Sequence, residues 1–268
     1  MRISKPTFGS RSRATLVVAV SLISFFCLWL APPLPLGPGY HIFADNRTQL
    51  GIPNCLNVLS NIPFMLVGLW GTVWLFRRSS ATAFQTRLEK AVYLIFFLGV
   101  AFTGVGSFWY HLNPDNQRLP FDLLPMTFAF MAILTSIAIE RIGVRFGRAV
   151  LIPLLLLGAS SVGYWYVTDA RGHGDYRFYL FVQFFPPLLI GLMIVLFPPS
   201  YTGMRYLVMA FLLFVLAKLL ELFDGEIYQA VHIVSGHALK HITAGLACYV
   251  ILLMLERRHA TRVLAQVG

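Results

Sequence analysis

Histidines at two places in the sequence have the residue type and the spacing that a metal site needs. His237 and His241 stand four residues apart, and on a helix this spacing turns both imidazoles to one face, where they can bind one ion together. His111 would supply the third nitrogen. Three neutral imidazoles with a fourth position left to water are typical of catalytic zinc. The pattern therefore predicts a Zn²⁺ site with His111, His237 and His241 as ligands.

Two further polar residues could carry out chemistry beside such an ion. Asp122 could take a proton from the attacking water, and Ser107, one helical turn before His111, could donate a hydrogen bond to a developing oxyanion. We therefore predict that Ser107 and Asp122 are catalytic. Each residue also has a plainer interpretation, since a serine can serve close helix packing and an aspartate can favour a helix N-terminus. It is the combination of five residues that favours a site.

The composition indicates which elements must position these residues. Hydrophobic residues make up 57% of the 268 residues and charged residues 12%, whereas a soluble domain has about 45–50% and about 25%. Apolar runs of about 18 residues or more recur, and each can cross a hydrocarbon core about 30 Å thick. The composition excludes a soluble globular protein. It predicts an all-α fold, a polytopic transmembrane helical bundle.

Eight membrane spans are predicted from the apolar runs between polar breaks. They are Ala14 to Pro33, Leu56 to Phe76, Ala91 to His111, Leu119 to Ile139, Val150 to Val167, Phe178 to Phe197, Tyr206 to Phe223, and His237 to Leu255. Proline and glycine in the gaps allow a helix to end without unpaired backbone groups in lipid. We expect one domain, with the first span as an appendage.

The net charge of +10 comes mostly from short basic clusters between the apolar runs. Clusters of this kind indicate membrane topology rather than a nucleic-acid partner. They lie predominantly on one side of the predicted bundle, and the positive-inside rule then places both termini in the cytoplasm, as an even number of spans requires. With this orientation, the third, fourth and eighth spans carry the five candidate residues into the same outer half of the membrane. We therefore expect them to meet there.

A second group of charged residues stands near the end of the seventh predicted span. Lys218, Glu221 and Asp224 follow one another at intervals of three residues, on broadly one side of a helix. We expect a structural role, as a buried ion pair or as support for a histidine, with a proton relay as the functional alternative. Asn57 and Asn61 are expected to form hydrogen bonds between helices.

The ordered set of motifs resembles the alkaline ceramidase family, within a wider group of seven-span membrane hydrolases that includes adiponectin-receptor-like proteins. The resemblance covers roughly Asp45 to Leu255. It rests on four elements in order: Asn57-Val-Leu-Ser-Asn61, Ser107-x-x-x-His111, Asp122, and His237-x-x-x-His241. Eukaryotic members also carry an acidic calcium-binding cluster, whereas the stretch from Asp45 to Asn54 holds one carboxylate. Calcium dependence therefore stays open.

The resemblance implies a zinc-dependent amidohydrolase of sphingolipid metabolism that acts on linear amides. Its substrate would be a ceramide-like membrane lipid, cleaved to a fatty acid and a long-chain base. It also implies a division of the chain into residues 1–40, an N-terminal cytoplasmic segment with an extra transmembrane anchor, and residues 41–268, a ceramidase-like domain with seven spans. An active site in the outer half of the bilayer would suit a lipid whose amide lies near the headgroups.

Two other functions stay open at this point. A membrane transporter or receptor could use the intramembrane His, Lys, Glu and Asp residues to carry protons or to bind a ligand, without zinc. Transporters often contain internal repeats, and none is evident in the sequence. A metal-containing scaffold would bind zinc and leave every amide intact.

Overall fold

The computed structural model describes residues 9–261 and Leu264. In this part of the chain the regular structure is helical, with short 3₁₀ and bridge elements between helices. In chain order the helices are α1 (Ser10–Leu30), α2 (Cys55–Leu59), α3 (Ile62–Phe76), α4 (Arg87–Leu112), α5 (Leu119–Arg141), α6 (Val144–Ala170), α7 (Arg177–Leu196), α8 (Met204–Leu222), α9 (Asp224–Val231) and α10 (Gly236–Arg257). Among the residues that the structure describes, seven candidate spans are long and apolar enough to cross a membrane, or eight if the bent pair α8 and α9 is one span. The predicted all-α, multi-pass bundle is confirmed.

The second predicted span is broken near its start. α2 ends at Leu59 and α3 begins at Ile62, although Cys55–Phe76 together still has the length and hydropathy of one span. Pro63 explains the break, because a proline has no N–H to donate to the carbonyl group four residues earlier. Asn61 donates to the carbonyl of Asn57, at 2.8 Å, so this amide bonds within its own segment rather than to another helix.

The end of the seventh predicted span differs from the expectation. The chain bends by 74° between α8 and α9, so Asp224 begins a new helix instead of continuing the face of Lys218 and Glu221. The Asp224 carboxylate accepts hydrogen bonds from the backbone N–H groups of Ala44 (2.9 Å) and His237 (2.6 Å). These two bonds join three segments that are remote in sequence, and no periodicity within α8 could indicate them.

The helices pack around a central cavity. Along the bundle, α6, α5, α4, α3, α10 and α8 are successive neighbours, and α7 packs on α5 and α6. α1 lies outside this arrangement, against α7. Near the start of α1, Arg13 donates a hydrogen bond to the carbonyl of Leu196 at 2.8 Å. Near its end, the carbonyls of Leu28 and Trp29 accept hydrogen bonds from Arg177 of α7. α1 is therefore an outer helix attached to α7.

A buried network of charged side chains lies at the end of the bundle where α4 begins. Arg258, just after α10, donates to Glu140 of α5, lies 3.9 Å from Glu89 of α4 and stacks on the ring of Tyr201 at 4.0 Å. All four residues are buried. Glu89 and His111 lie near opposite ends of α4, about 33 Å apart along the helix at about 1.5 Å per residue. The two ends of the bundle therefore have separate polar clusters.

Candidate metal centre and cavity

Three histidines meet at the end of the bundle where α4 ends and α10 begins. His111 is in the last turn of α4, and His237 and His241 are in the first two turns of α10. The ring centroids form a triangle with sides of 4.9 Å. One nitrogen of each ring lies within 4.8 Å of the other two. The structure thus brings together the three predicted ligands, two of them buried and His237 partly buried.

The separation of the nitrogens allows a test of whether a metal ion would fit. Zn–N bonds are about 2.0–2.1 Å long, so two nitrogens on a tetrahedral ion lie roughly 3.3 Å apart. The Nε2 atoms of His111 and His237 are 3.4 Å apart. A third imidazole at the same point completes a set of donors suited to zinc and other first-row metals. The residues present therefore fit a metal ion.

Neighbouring residues fix the orientation of the rings. The Ser60 hydroxyl forms a 2.9 Å hydrogen bond with Nδ1 of His241, which leaves Nε2 of that ring for a ligand bond. Phe43 packs edge-on against His111 and tilted against His237, with centroid distances of 4.7 and 4.4 Å. Nδ1 of His111 has no hydrogen-bond partner within the described residues, so packing holds this ring. The role of Ser60 was not expected, although Asn57-Val-Leu-Ser-Asn61 contains it.

Ser107 and Asp122 face each other across the junction of α4 and α5. Ser107 lies one turn before His111, and Asp122 lies in the first turn of α5. Both are buried, their side chains interact, and both line the same cavity as His241. Oδ1 of Asp122 has no hydrogen-bond partner in the described part of the chain. The buried carboxylate therefore keeps an unused acceptor beside the cavity.

The pairing of Ser107 with Asp122 depends on a close approach of two helix backbones at Gly106. A Cβ atom on Gly106 would lie 1.8 Å from the carbonyl oxygen of Phe121, the residue before Asp122. Because that atom belongs to the backbone, no side-chain rotation could relieve the clash, and α4 and α5 would have to separate.

We predict that Gly106→Ala destabilises the protein by about 1–3 kcal/mol and lowers its catalytic rate about a hundredfold, because it displaces Ser107 from Asp122. Thermal unfolding in detergent and initial rates would measure the two effects. Gly163→Ala is the matched control, since a Cβ on Gly163 of α6 meets nothing within 4 Å. Equal behaviour of the two variants would contradict the prediction.

The cavity beside the histidines has a volume of about 690 Å³, within the usual range of about 300–1,000 Å³ for small-molecule sites. Its polar end includes Ser107, Asp122 and His241. The remainder is lined mainly by apolar side chains of α4, α5, α7, α8 and α10, among them Val100, Phe130, Leu207, Phe211 and Ile251. A ligand for this space needs a polar group at one end and a long apolar body.

Hydrogen bonds join the loop before α2 to the residues just before α10. Arg47 donates to both carboxylate oxygens of Asp45 at 2.8 Å and to the carbonyl of Ile233 at 2.7 Å. The hydrogen bonds from Arg47 hold the pKa of the Asp45 carboxyl below its usual range, so this group stays ionised. Asn54 also donates to the carbonyl of His111, at 2.9 Å. The single carboxylate between Asp45 and Asn54 is thus paired with an arginine.

Comparison with known proteins identifies a matching family. A family model described as Ceramidase matches residues 49–266, which is most of the chain. No curated protein and no solved structure matches the chain. The matched range contains the three histidines, Ser107 and Asp122, and α1 lies outside it.

Proposed function

The chain belongs to the ceramidase family, whose members are hydrolases acting on amides, and from this premise we propose that it uses zinc to hydrolyse the amide bond of a ceramide-like membrane lipid. The family match confirms the resemblance seen in the sequence motifs. The products would be a fatty acid and a long-chain base. The proposed metal ligands are His111, His237 and His241, and the proposed catalytic residues are Ser107 and Asp122.

One observation carries this proposal: within a bundle of membrane-spanning helices three imidazoles are clustered, and one of them, His241, lines the polar end of a mainly apolar cavity. A metal site alone would suit many reactions. A long apolar cavity beside it restricts the substrate to a lipid, since the alkyl chains need apolar walls. Ser107 and Asp122 then offer the donor and the base that cleavage of an amide requires.

The chemistry divides among these residues. When bound, the zinc ion would supply Lewis-acid polarisation of the amide carbonyl and lower the pKa of water. Asp122 takes a proton as the water oxygen bonds to the carbonyl carbon, and returns it to the amide nitrogen as the C–N bond breaks. The Ser107 hydroxyl donates to the Asp122 carboxylate before the reaction; once Asp122 holds the proton from water, this hydroxyl turns to the carbonyl oxygen and donates to it while negative charge develops there. Ser60 keeps His241 oriented throughout by its bond to Nδ1.

The proposed orientation follows the distribution of basic residues, with both termini in the cytoplasm. The histidines then lie in the outer half of the bilayer, because α4 runs outward to His111 and α10 runs inward from His237. A ceramide-like lipid carries its amide near the headgroups, with its alkyl chains deeper in the membrane. The cavity has the same arrangement, with its polar end beside the histidines.

The test combines metal analysis with a hydrolysis assay on detergent-purified protein. We expect about one zinc per chain and release of fatty acid from ceramide, with both lost on chelation and activity restored by added zinc. Protein that binds zinc but cleaves no ceramide or other N-acyl lipid would refute the proposal and favour a scaffold. Protein that contains no metal when purified without chelator would refute it too, and would direct attention to proton-coupled transport.

A further inference from the structure

Two lysines and one glutamate form a cluster on the cavity wall beside the proposed active site. Lys218 of α8 donates to Oε2 of Glu221 at 2.7 Å, and Lys240 of α10 donates to Oε1 of the same carboxylate. All three residues line the cavity that also contains Ser107 and Asp122. The cluster holds two positive charges and one negative charge.

The lysines keep hydrogen-bonding capacity beyond this shared carboxylate. An ammonium group has three N–H donors, and the hydrogen bonds described here use one from each lysine. The side chains are 26% and 19% exposed, so water or a ligand can reach them. Neither lysine hydrogen-bonds to Asp122, the other carboxylate on the cavity wall, in the part of the chain that the structure describes. The Lys218 ammonium group also lies 5.4 Å from the centre of the Phe184 ring, within reach of a cation–π interaction.

We propose that Lys218 and Lys240 form an anion subsite that binds the anionic oxygens of a lipid held in the cavity. A carboxylate moved from water into apolar surroundings needs charged or hydrogen-bonding partners, and two ammonium groups on one wall supply them. The inference rests on the proposed function, because hydrolysis of an N-acyl lipid creates a fatty-acid carboxylate in this cavity. An acidic headgroup on the substrate, such as a phosphate, has the same chemistry.

Because the cluster contains side chains of both charges, two substitutions are expected to change anion binding in opposite directions. Lys218→Met removes one donor and one positive charge, and Glu221→Gln removes the negative charge that occupies both lysines. The first change should weaken anion binding and the second should strengthen it. A cluster with a purely structural role would instead make both variants less stable and leave the preference for anions unchanged. Lys218 is the better residue to change, since Lys240 is adjacent to His241 in the chain.

The experiment measures binding of palmitate and of hexadecanol, its neutral counterpart, to full-length protein in detergent by calorimetry. For Lys218→Met we expect about tenfold weaker palmitate binding, the effect of losing one hydrogen bond to a charged group, with hexadecanol unchanged. Lys218→Arg should keep palmitate binding, and Glu221→Gln should tighten it. Lys90→Met is the control, because Lys90 lies in the first turn of α4 and does not line the cavity. An unchanged ratio of palmitate to hexadecanol affinity in Lys218→Met would overturn the proposal.

Kinetics separate the two sources of the anion. If the fatty-acid product is the ligand, Lys218→Met relieves product inhibition by palmitate and changes kcat/KM by the same factor for N-acyl lipids with hydroxyl and phosphate headgroups. If the headgroup is the ligand, the variant loses kcat/KM about tenfold for the phosphate lipid alone. Palmitate binding requires no turnover. If Lys218→Met weakens palmitate binding but the protein hydrolyses no N-acyl lipid, the proposed function is refuted and the anion subsite stands. If the protein hydrolyses the lipid but the ratio of palmitate to hexadecanol affinity does not change in Lys218→Met, the anion subsite is refuted.

Discussion

Substitution of His237 by alanine is expected to remove the bound metal and to lower the rate of amide hydrolysis about a thousandfold or more. His237 Nε2 lies 3.4 Å from His111 Nε2, and His241 is one turn further along α10. Two imidazoles cannot hold a catalytic zinc as three do, because a three-ligand site is the usual minimum. Metal analysis of the purified variant and its rate of fatty-acid release would measure the two losses together. His241→Ala should behave in the same way.

The control for this substitution is His173→Ala. His173 is an exposed histidine in the loop between α6 and α7, and its ring bonds to the carbonyl of Arg171. This variant should keep both metal and activity. Full activity after His237→Ala would exclude the proposed centre, and full metal content without activity would show that His237 acts on the substrate rather than on a metal ion.

Asp122→Asn is expected to lower the catalytic rate by about 10²–10⁴, the usual contribution of a positioned general base, while the metal is retained. Asparagine has nearly the same shape as aspartate and can still accept a hydrogen bond from Ser107, so the packing of α4 on α5 should persist. It cannot take a proton from water. The measurement is kcat for ceramide hydrolysis, with metal content determined on the same sample.

Asp169→Asn is the matched control for Asp122→Asn. Asp169 lies near the end of α6, accepts a hydrogen bond from Asn116 at 2.9 Å and does not line the cavity. Its substitution should leave kcat unchanged. Loss of metal in Asp122→Asn would identify the carboxylate as a ligand, and an unchanged rate would remove Asp122 from the proposed mechanism.

Much of the fold and the convergence of the site could be predicted from sequence because lipid restricts the backbone to helices. Hydropathy locates the spans, and the alternating direction of successive helices places His111 and His237 at the same end of the bundle. The spacing of His237 and His241 fixed their common face. These inferences need only helical periodicity and the thickness of a bilayer.

What could not be predicted depends on contacts between remote segments. The bend after Phe223 is held by Asp224 bonding to Ala44 and His237, and no local signal indicates these partners. Arg258 follows the last apolar run, where a basic residue ordinarily indicates topology, whereas its charge is buried against Glu140. In the sequence, Lys240 is simply the residue before His241. Its position on the cavity wall follows from the packing of α10 on α8.

The attachment of α1 to α7 has a consequence for the order in which the protein assembles during synthesis. α1 ends at Leu30 and its partner begins at Arg177, so the ribosome adds about 150 residues between them, which takes on the order of ten seconds at about 5–20 residues per second. During that interval α1 has to persist in the bilayer without its tertiary contacts. A mean hydropathy of 2.0 allows this. Once α7 is made, the hydrogen bonds of Arg13 and Arg177 can join it to α1, which is already inserted.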